Sequence, residues 1–292
     1  MPAGLLPPEV TIGGAVELGI SSYTYVWSAG VEGYPAPPNP LTCESLIRHA
    51  VRLGVIVVQI ADNLPLDRLA DARLDALARH ARDCGIRIEP GTRGIQPEIL
   101  RPYLEIARRF GSPILRTLLD GPSHQPSEEE AGGLLRQIAP EFRGAGVKLA
   151  IENHDRFRAS ALRRVLEAAA SDSIGICLDT ANSLGCGETV DQVLDVLADL
   201  VVNLHIKDFW TRRLPHHKGF IVEGAPAGKG LLDIRALLGR LAPRSAGMSA
   251  ILELWTPPEA TAEASVEKEK RWAEESIRYL RTLLPAASPN AE

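Results

Sequence analysis

Short apolar runs recur along the chain, each ending on a polar or charged residue and each followed by a longer segment of helical spacing. The runs end near Ile20, Ile60, Glu89, Thr117, Glu152, Asp179, His205 and Glu253. Their β-branched content and lack of alternation predict strands buried on both faces, as in a parallel sheet. The intervening segments carry helix punctuation. Asn39 and Pro40 open the first and Gly54 closes it, while residues 67–84 form the second, closed by Gly85. Residues 97–110 are followed by Gly111, and Ser127 with Glu128, Glu129 and Glu130 places acids at the positive end of the fourth helix dipole. Residues 159–170, 188–198, 232–241 and 262–284 complete the set.

Eight strand–helix alternations predict an α/β chain closed into a (β/α)8 TIM barrel, in a single domain over residues 16–284. Residues 1–15 read as an N-terminal extension and 285–292 as a flexible tail. Two connections are long, 23–38 after the first strand and 209–230 after the seventh. Both follow a strand, so both fall on the C-terminal face, where barrels keep their sites. A doubly wound open sheet is the rival, but no Gly-x-Gly-x-x-Gly follows the first strand.

Composition narrows the setting. Of 292 residues, 45% are hydrophobic and 24% charged, as in ordinary globular proteins. A net charge of −5 argues against a nucleic-acid surface, and no apolar run is long enough to span a membrane. Residues 1–14 are rich in Pro and Gly and lack a charged start before an apolar segment, so no signal peptide is expected. Cys43, Cys84, Cys177 and Cys186 are scattered without metal-type spacing, which reads as reduced thiols in a cytoplasmic protein.

The chemistry concentrates at four strand ends. In residues 201–208 (Val-Val-Asn-Leu-His-Ile-Lys-Asp), His205 and Lys207 are two apart and share a face. Runs of the same form deliver Glu152, Asp179 and Glu253. The plain reading is four unrelated polar ends, salt-bridged or capping helices. Four metal-capable residues at the ends of strands five to eight favour another: three converging carboxylates repel, and a bound dication makes them tolerable. Three oxygens and one nitrogen suit one divalent metal with open positions, Mn2+ first, with Mg2+, Co2+ or Zn2+ as alternatives.

Glu152-Asn153-His154, Asp179-Thr180-Ala181-Asn182, His205-Ile206-Lys207-Asp208, Gly228-Lys229-Gly230-Leu231-Leu232-Asp233 and Leu252-Glu253-Leu254 resemble the xylose-isomerase-like TIM-barrel superfamily, in the right order over residues 16–284. That group includes sugar phosphate isomerases and epimerases, inosose and dehydroshikimate dehydratases, and abasic-site endonucleases. The resemblance implies that Glu152, Asp179, His205 and Glu253 bind one metal and that Glu152 and Glu253 are the catalytic acid/base pair of the epimerase branch. Two positions depart from the pattern: Asn182 stands where epimerases often carry His, and Lys229 where the Gly-x-Gly turn often carries Glu.

Further candidates for substrate contact are His154, Asn182, Lys207, Arg116, Arg212 and Trp27. His154 is otherwise a structural histidine, Lys207 a partner for a carboxylate such as Asp208, and Arg116 a partner for Glu89. The run of Trp210, Arg212, Arg213, His216, His217 and Lys218 is either a solvated face or a cationic lid for an anion. Tyr23, Tyr25, Trp27 and Trp255 are either loop packing or faces for a sugar-like ring. Cys186, between Gly185 and Gly187, marks a turn and not a nucleophile.

The expected function is a metal-dependent isomerase or epimerase of a ketose or polyol-derived keto substrate, moving a proton through an enediolate. The alternative is a lyase, a dehydratase of a keto-cyclitol or 3-dehydroshikimate, and a third reading is a non-catalytic sugar-binding barrel. The endonuclease branch binds three zinc ions through extra histidines, whereas only His154 and His205 of the seven here lie at strand ends. The partner is thus a small sugar or polyol, not nucleic acid or membrane. A homo-oligomer fits the resemblance, whose members are often dimers or tetramers.

Overall fold

Apolar β-rich runs and the helices between them build a nearly closed parallel barrel. The computed structural model describes residues 16–284, so the proposed extension 1–15 and tail 285–292 lie outside the described residues. The strands are β1 (Glu17–Ser21), β2 (Val57–Ile60), β3 (Arg87–Pro90), β4 (Ile114–Thr117), β5 (Lys148–Glu152), β6 (Ile174–Asp179), β7 (Val201–Ile206), β8 (Asp208–Arg213), β9 (Phe220–Ala225) and β10 (Ser249–Leu252). Eight of them form one sheet in the order β3-β2-β1-β10-β7-β6-β5-β4, with every neighbouring pair parallel. A bridge between Gly91 and Arg116 draws β3 to β4 and brings the cylinder close to closure.

The helices are α1 (Val26–Ala29), α2 (Cys43–Leu53), α3 (Asp71–Asp83), α4 (Pro97–Phe110), α5 (Glu128–Ala145), α6 (Ala159–Ala169), α7 (Val190–Leu197), α8 (Ile234–Leu241) and α9 (Ala262–Leu283). Their apolar faces pack on the outside of the barrel, with Leu46, Leu77, Leu100, Leu135, Phe142 and Leu280 fully buried.

Three boundaries differ from expectation. The first helix starts at Cys43, because Thr42 and Ser45 form a reciprocal capping box and outcompete Asn39-Pro40. The second starts at Asp71, not 67: buried Leu66 anchors a separate turn, and Tyr103 Oη donates to Asp67 Oδ1 at 3.0 Å. The connection after β7 is an antiparallel hairpin of β8 and β9.

Register positions the site. Asp179 pairs with His205 and Glu152 with Cys177, so adjacent strand ends present their side chains side by side. Below that rim the barrel interior is polar. Gln59, Glu89, Asn203 and Ser249 are fully buried. Ser249 Oγ donates to Glu89 Oε2 at 3.0 Å, Asn203 Nδ2 to Ser249 Oγ at 2.7 Å and Gln59 Nε2 to Asn203 Oδ1 at 3.2 Å. Buried polar groups persist only when bonded, and this layer is bonded throughout.

Candidate active site

The strand ends converge on one imidazole nitrogen. His205 Nδ1 lies 3.4 Å from Glu152 Oε2, 3.4 Å from Glu253 Oε1 and 3.9 Å from Asp179 Oδ2, and all four side chains are buried. His205 Nε2 meets Gln59 Oε1 at 2.7 Å. Because Gln59 Nε2 is already donating, its oxygen accepts, so the ring proton sits on Nε2 and Nδ1 carries a bare lone pair.

That nitrogen has no hydrogen-bond partner, while Asp179 Oδ2 is met by the Lys207 ammonium at 2.9 Å. Donors about 2.1 Å from a shared ion lie roughly 3 to 3.5 Å apart along the edges of a coordination polyhedron. The separations of His205 Nδ1 from Glu152 and Glu253 match this, and the unpartnered Nδ1 faces all three carboxylates. The donor set therefore fits a divalent cation. Two overlapping groups could hold one, Asp179 with His205 and Glu253, and Glu152 with Cys177 and His205. Cys177 is the weaker member: burial pushes its thiol well up, and it donates to Asn203 Oδ1 at 3.0 Å.

Two buried cations brace the carboxylates. Arg116 Nε donates to Glu152 Oε2, and its Nη1 lies 3.2 Å from Asp62 Oδ1. Asn182 Nδ2 holds the other Glu152 oxygen at 2.7 Å. Lys207 Nζ lies 2.9 Å from Asp179 Oδ2 and 3.1 Å from Glu253 Oε2. Burial alone would discharge both cations, but the carboxylates outweigh it and raise both above their ordinary values. Burial would likewise raise Glu253, yet the Lys207 and Arg116 cations and the hydrogen bond from Ser21 Oγ pull its carboxyl down. Asp179 Oδ1 accepts from the Ala181 and Asn182 N–H groups at 2.8 Å each, which fixes that carboxylate.

These residues floor a cavity of about 380 Å3, lined also by Tyr23, Arg93, Leu118, His154, Asp155 and Trp255. Of the sequence candidates, Arg116, Glu152, His154, Asn182, Lys207 and Glu253 line it directly, with His205 and Asp179 beside Glu152 and Glu253. Arg116 pairs with Glu152 and Asp62, not with Glu89, which takes Arg87 instead. His154 stays at the rim, where its Nδ1 meets Asp155 Oδ1 at 2.6 Å, and is not part of the ligand cluster.

Two candidates do not reach the cavity. Arg212 projects from the exposed hairpin and forks onto Glu223, so the cationic run is largely a solvated face. Trp27 is buried elsewhere: its Nε1 donates to Thr256 O at 2.8 Å and its ring meets Tyr34 edge-on. The segment after β1 is a tight 3-10 turn (Ser22–Tyr25) running into α1, so Tyr23, Tyr25 and Trp27 fan out over different faces. Tyr23 alone reaches the cavity, and its phenol, raised by burial, donates to Asp62 at 3.2 Å. Lys229 is exposed beside Glu275.

Sequence reasoning missed Gln59, Asp62 and Arg93. Asp62 follows β2 and Arg93 follows β3, where strand-end position was the signal that could have raised them, whereas Gln59 lies inside β2.

A nearly closed ring of parallel strands with an acid–imidazole cluster at its C-terminal mouth is the arrangement in which barrel enzymes hold their sites. The sequence matches the family described as xylose isomerase-like TIM barrel over residues 47–283, and the chain belongs to that family. It is 35% identical over 271 residues to a 3-oxo-isoapionate decarboxylase of Pectobacterium atrosepticum, covering 93% of this chain and 97% of that one. Among solved structures it is similar to a D-psicose 3-epimerase with D-tagatose from Clostridium cellulolyticum (TM-score 0.68, 15% identity, 92% of this chain and 99% of that one). It is also similar to a xylose isomerase-like barrel of Mycobacterium smegmatis in complex with magnesium (TM-score 0.63, 16% identity, 92% and 98%). Identities this low carry the fold alone. Among the described residues no helix is long and apolar enough to cross a membrane.

Proposed function

We propose that this protein is a lyase that decarboxylates a small polyhydroxylated 3-oxo acid, with one divalent cation held by Glu152, Asp179, His205 and Glu253. The observation that carries this reading is the condition of the two glutamates. Epimerisation by two bases needs one carboxylate to take a proton from carbon and another to return it. Here Glu152 is engaged by Arg116 and Asn182, and Glu253 by Ser21 and Lys207. Carboxylates whose oxygens are already occupied by these donors are poorly placed to take a proton from carbon.

Decarboxylation removes no proton from carbon. The bond to the carboxylate breaks, its electron pair passes into the neighbouring carbonyl to give an enolate, CO2 departs, and the carbon then takes up one proton. The bound cation would supply Lewis-acid stabilisation of negative charge on substrate oxygens, with Mn2+ the first choice for this donor set. Lys207 and Arg116 add fixed positive charge at the cavity wall. Lys207, whose ammonium stays charged between Asp179 and Glu253, holds positive charge against the developing enolate, and the proton taken up by the carbon comes from solvent. Tyr23 and Trp255 wall the cavity and limit water. The 35% identical relative, named for decarboxylation of a 3-oxo acid, supports this choice over the isomerase or epimerase expected from the sequence. A cytoplasmic setting belongs to the same reading, since Cys43, Cys84, Cys177 and Cys186 are all free thiols.

The test is to incubate the Mn2+-loaded protein with 3-oxo-isoapionate in D2O. CO2 release with one deuterium in the product is expected. Deuterium exchange at the α-carbon of a ketose, with no CO2 from the acid, would restore the isomerase or epimerase. A conjugated, absorbing product from 3-dehydroshikimate would instead mark a dehydratase.

A further inference from the structure

Arg93 differs from Arg116 and Lys207 in forming no ion pair among the described residues. Arg116 is balanced by Glu152 and Asp62, and Lys207 by Asp179 and Glu253, so both belong to the wall. Arg93 follows β3, is half-buried, and lines both the catalytic cavity and an adjoining one of about 460 Å3. Its Nε is buried without a hydrogen-bond partner, and among the described residues its guanidinium makes no ion pair. A cation partly withdrawn from water with donors unmet is costly, and a bound anion would relieve that cost.

We propose that Arg93 recognises the carboxylate of the substrate and makes the site select sugar acids over neutral sugars and polyols. This deepens the decarboxylase reading and rests on it for the substrate class. A single guanidinium fork matches the two oxygens of one carboxylate, and no second free cation lines the cavity to meet the higher charge of a phosphate. The chemistry also fixes the kinetic signature. As CO2 forms, negative charge leaves the carboxylate, so a cation there stabilises bound substrate more than the transition state. Arg93 is accordingly a specificity residue. Its loss raises KM and leaves kcat unchanged or higher.

Calorimetry on the Mn2+-loaded full chain, with D-erythronate and erythritol as probes, tests this without turnover. Wild type should prefer the acid. Arg93→Gln should cut the ratio of the two affinities by about tenfold or more, and Arg93→Lys should keep part of it. Arg93 holds no partner, so melting curves and circular dichroism should match wild type. A wild type with no preference for the acid, or a ratio that changes by less than about twofold in Arg93→Gln, overturns the proposal. Erythrose 4-phosphate binding more tightly than erythronate through Arg93 would overturn the carboxylate assignment. In turnover of 3-oxo-isoapionate, a fall in kcat at unchanged KM would also refute it. Selection of erythronate through Arg93 by a protein that releases no CO2 refutes only the decarboxylase. CO2 release with selectivity indifferent to Arg93 refutes only the present inference.

Discussion

At the scale of single residues, the state of His205 decides whether the cluster can bind a cation at all. An imidazole offers a lone pair on one nitrogen only when the proton is held on the other. Gln59 Oε1, 2.7 Å from Nε2, holds it there, and Glu89 and Asn203 fix the orientation of the Gln59 amide in turn. Gln59→Leu removes the acceptor while keeping the volume. Mn2+ affinity should then fall by about 10- to 100-fold, read by titrating the metal-free protein in a calorimeter. An unchanged affinity would show that the tautomer is set by something else. Glu152, Asp179, His205 and Glu253 were legible in the sequence because each closes an apolar run, and a polar residue there must face the mouth. Gln59 was not. A polar residue inside a buried strand only weakens the strand pattern, and nothing local reveals that it faces a histidine 146 positions away.

At the scale of elements, the Gly-Lys-Gly turn acquires a structural meaning distinct from its motif. Asp208, directly after β7, accepts from the N–H groups of Gly228 at 2.9 Å, Gly230 at 3.0 Å and Leu232 at 3.1 Å. One buried carboxylate therefore clamps the return of the β8–β9 hairpin onto the barrel. A side chain at 230 would place its Cβ 2.1 Å from Asp208 Oδ1, so only glycine fits there. Asp208→Ala should cost about 3 kcal/mol in urea denaturation, because four backbone donors, the Phe209 N–H included, lose a charged acceptor. A loss below about 0.5 kcal/mol would mean that water replaces the carboxylate freely. Strand and helix order could be read from periodicity, but the hairpin could not. Its strands carry Arg212, Arg213 and Glu223 among Trp210, Phe220 and Val222 on exposed faces, so neither face gives the apolar stripe that marks a strand against a core. The helix starts were misplaced for a related reason: Thr42 with Ser45, and the Tyr103–Asp67 bond, were decided by local capping and by a distant partner.

At the scale of the whole molecule, the last helix is tied to the segment after the first strand, and that tie is sensitive to pH. Glu269 on α9 accepts from the N–H groups of Trp27 and Ser28 at 2.7 Å each, joining α9 to the segment after β1. This is also why Trp27 packs here and not in the cavity. Burial raises the Glu269 carboxyl to about 7, whereas an unfolded glutamate titrates near 4.3. Between those values the folded chain binds the extra proton. The contribution of Glu269 is therefore complete below about pH 4.3 and is lost as pH rises through 7, with a slope of at most about 1.4 kcal/mol per pH unit. His49, stacked on Tyr25 nearby, works in the opposite sense. Burial, then Arg52 and Lys270, depress it to about 4, so its contribution is present above its unfolded value and is lost as pH falls through 4. The two slopes oppose each other at mildly acid pH, and the Glu269 slope outweighs the fading His49 slope from about 6.5 upward. Urea midpoints of wild type should thus fall between pH 6.5 and 8, while Glu269→Gln, which cannot ionise, should show no fall across that interval. In a His49→Gln background the decline should extend down toward pH 5, because the opposing titration is gone. Parallel curves for wild type and Glu269→Gln would place the pH-sensitive tie elsewhere in the barrel.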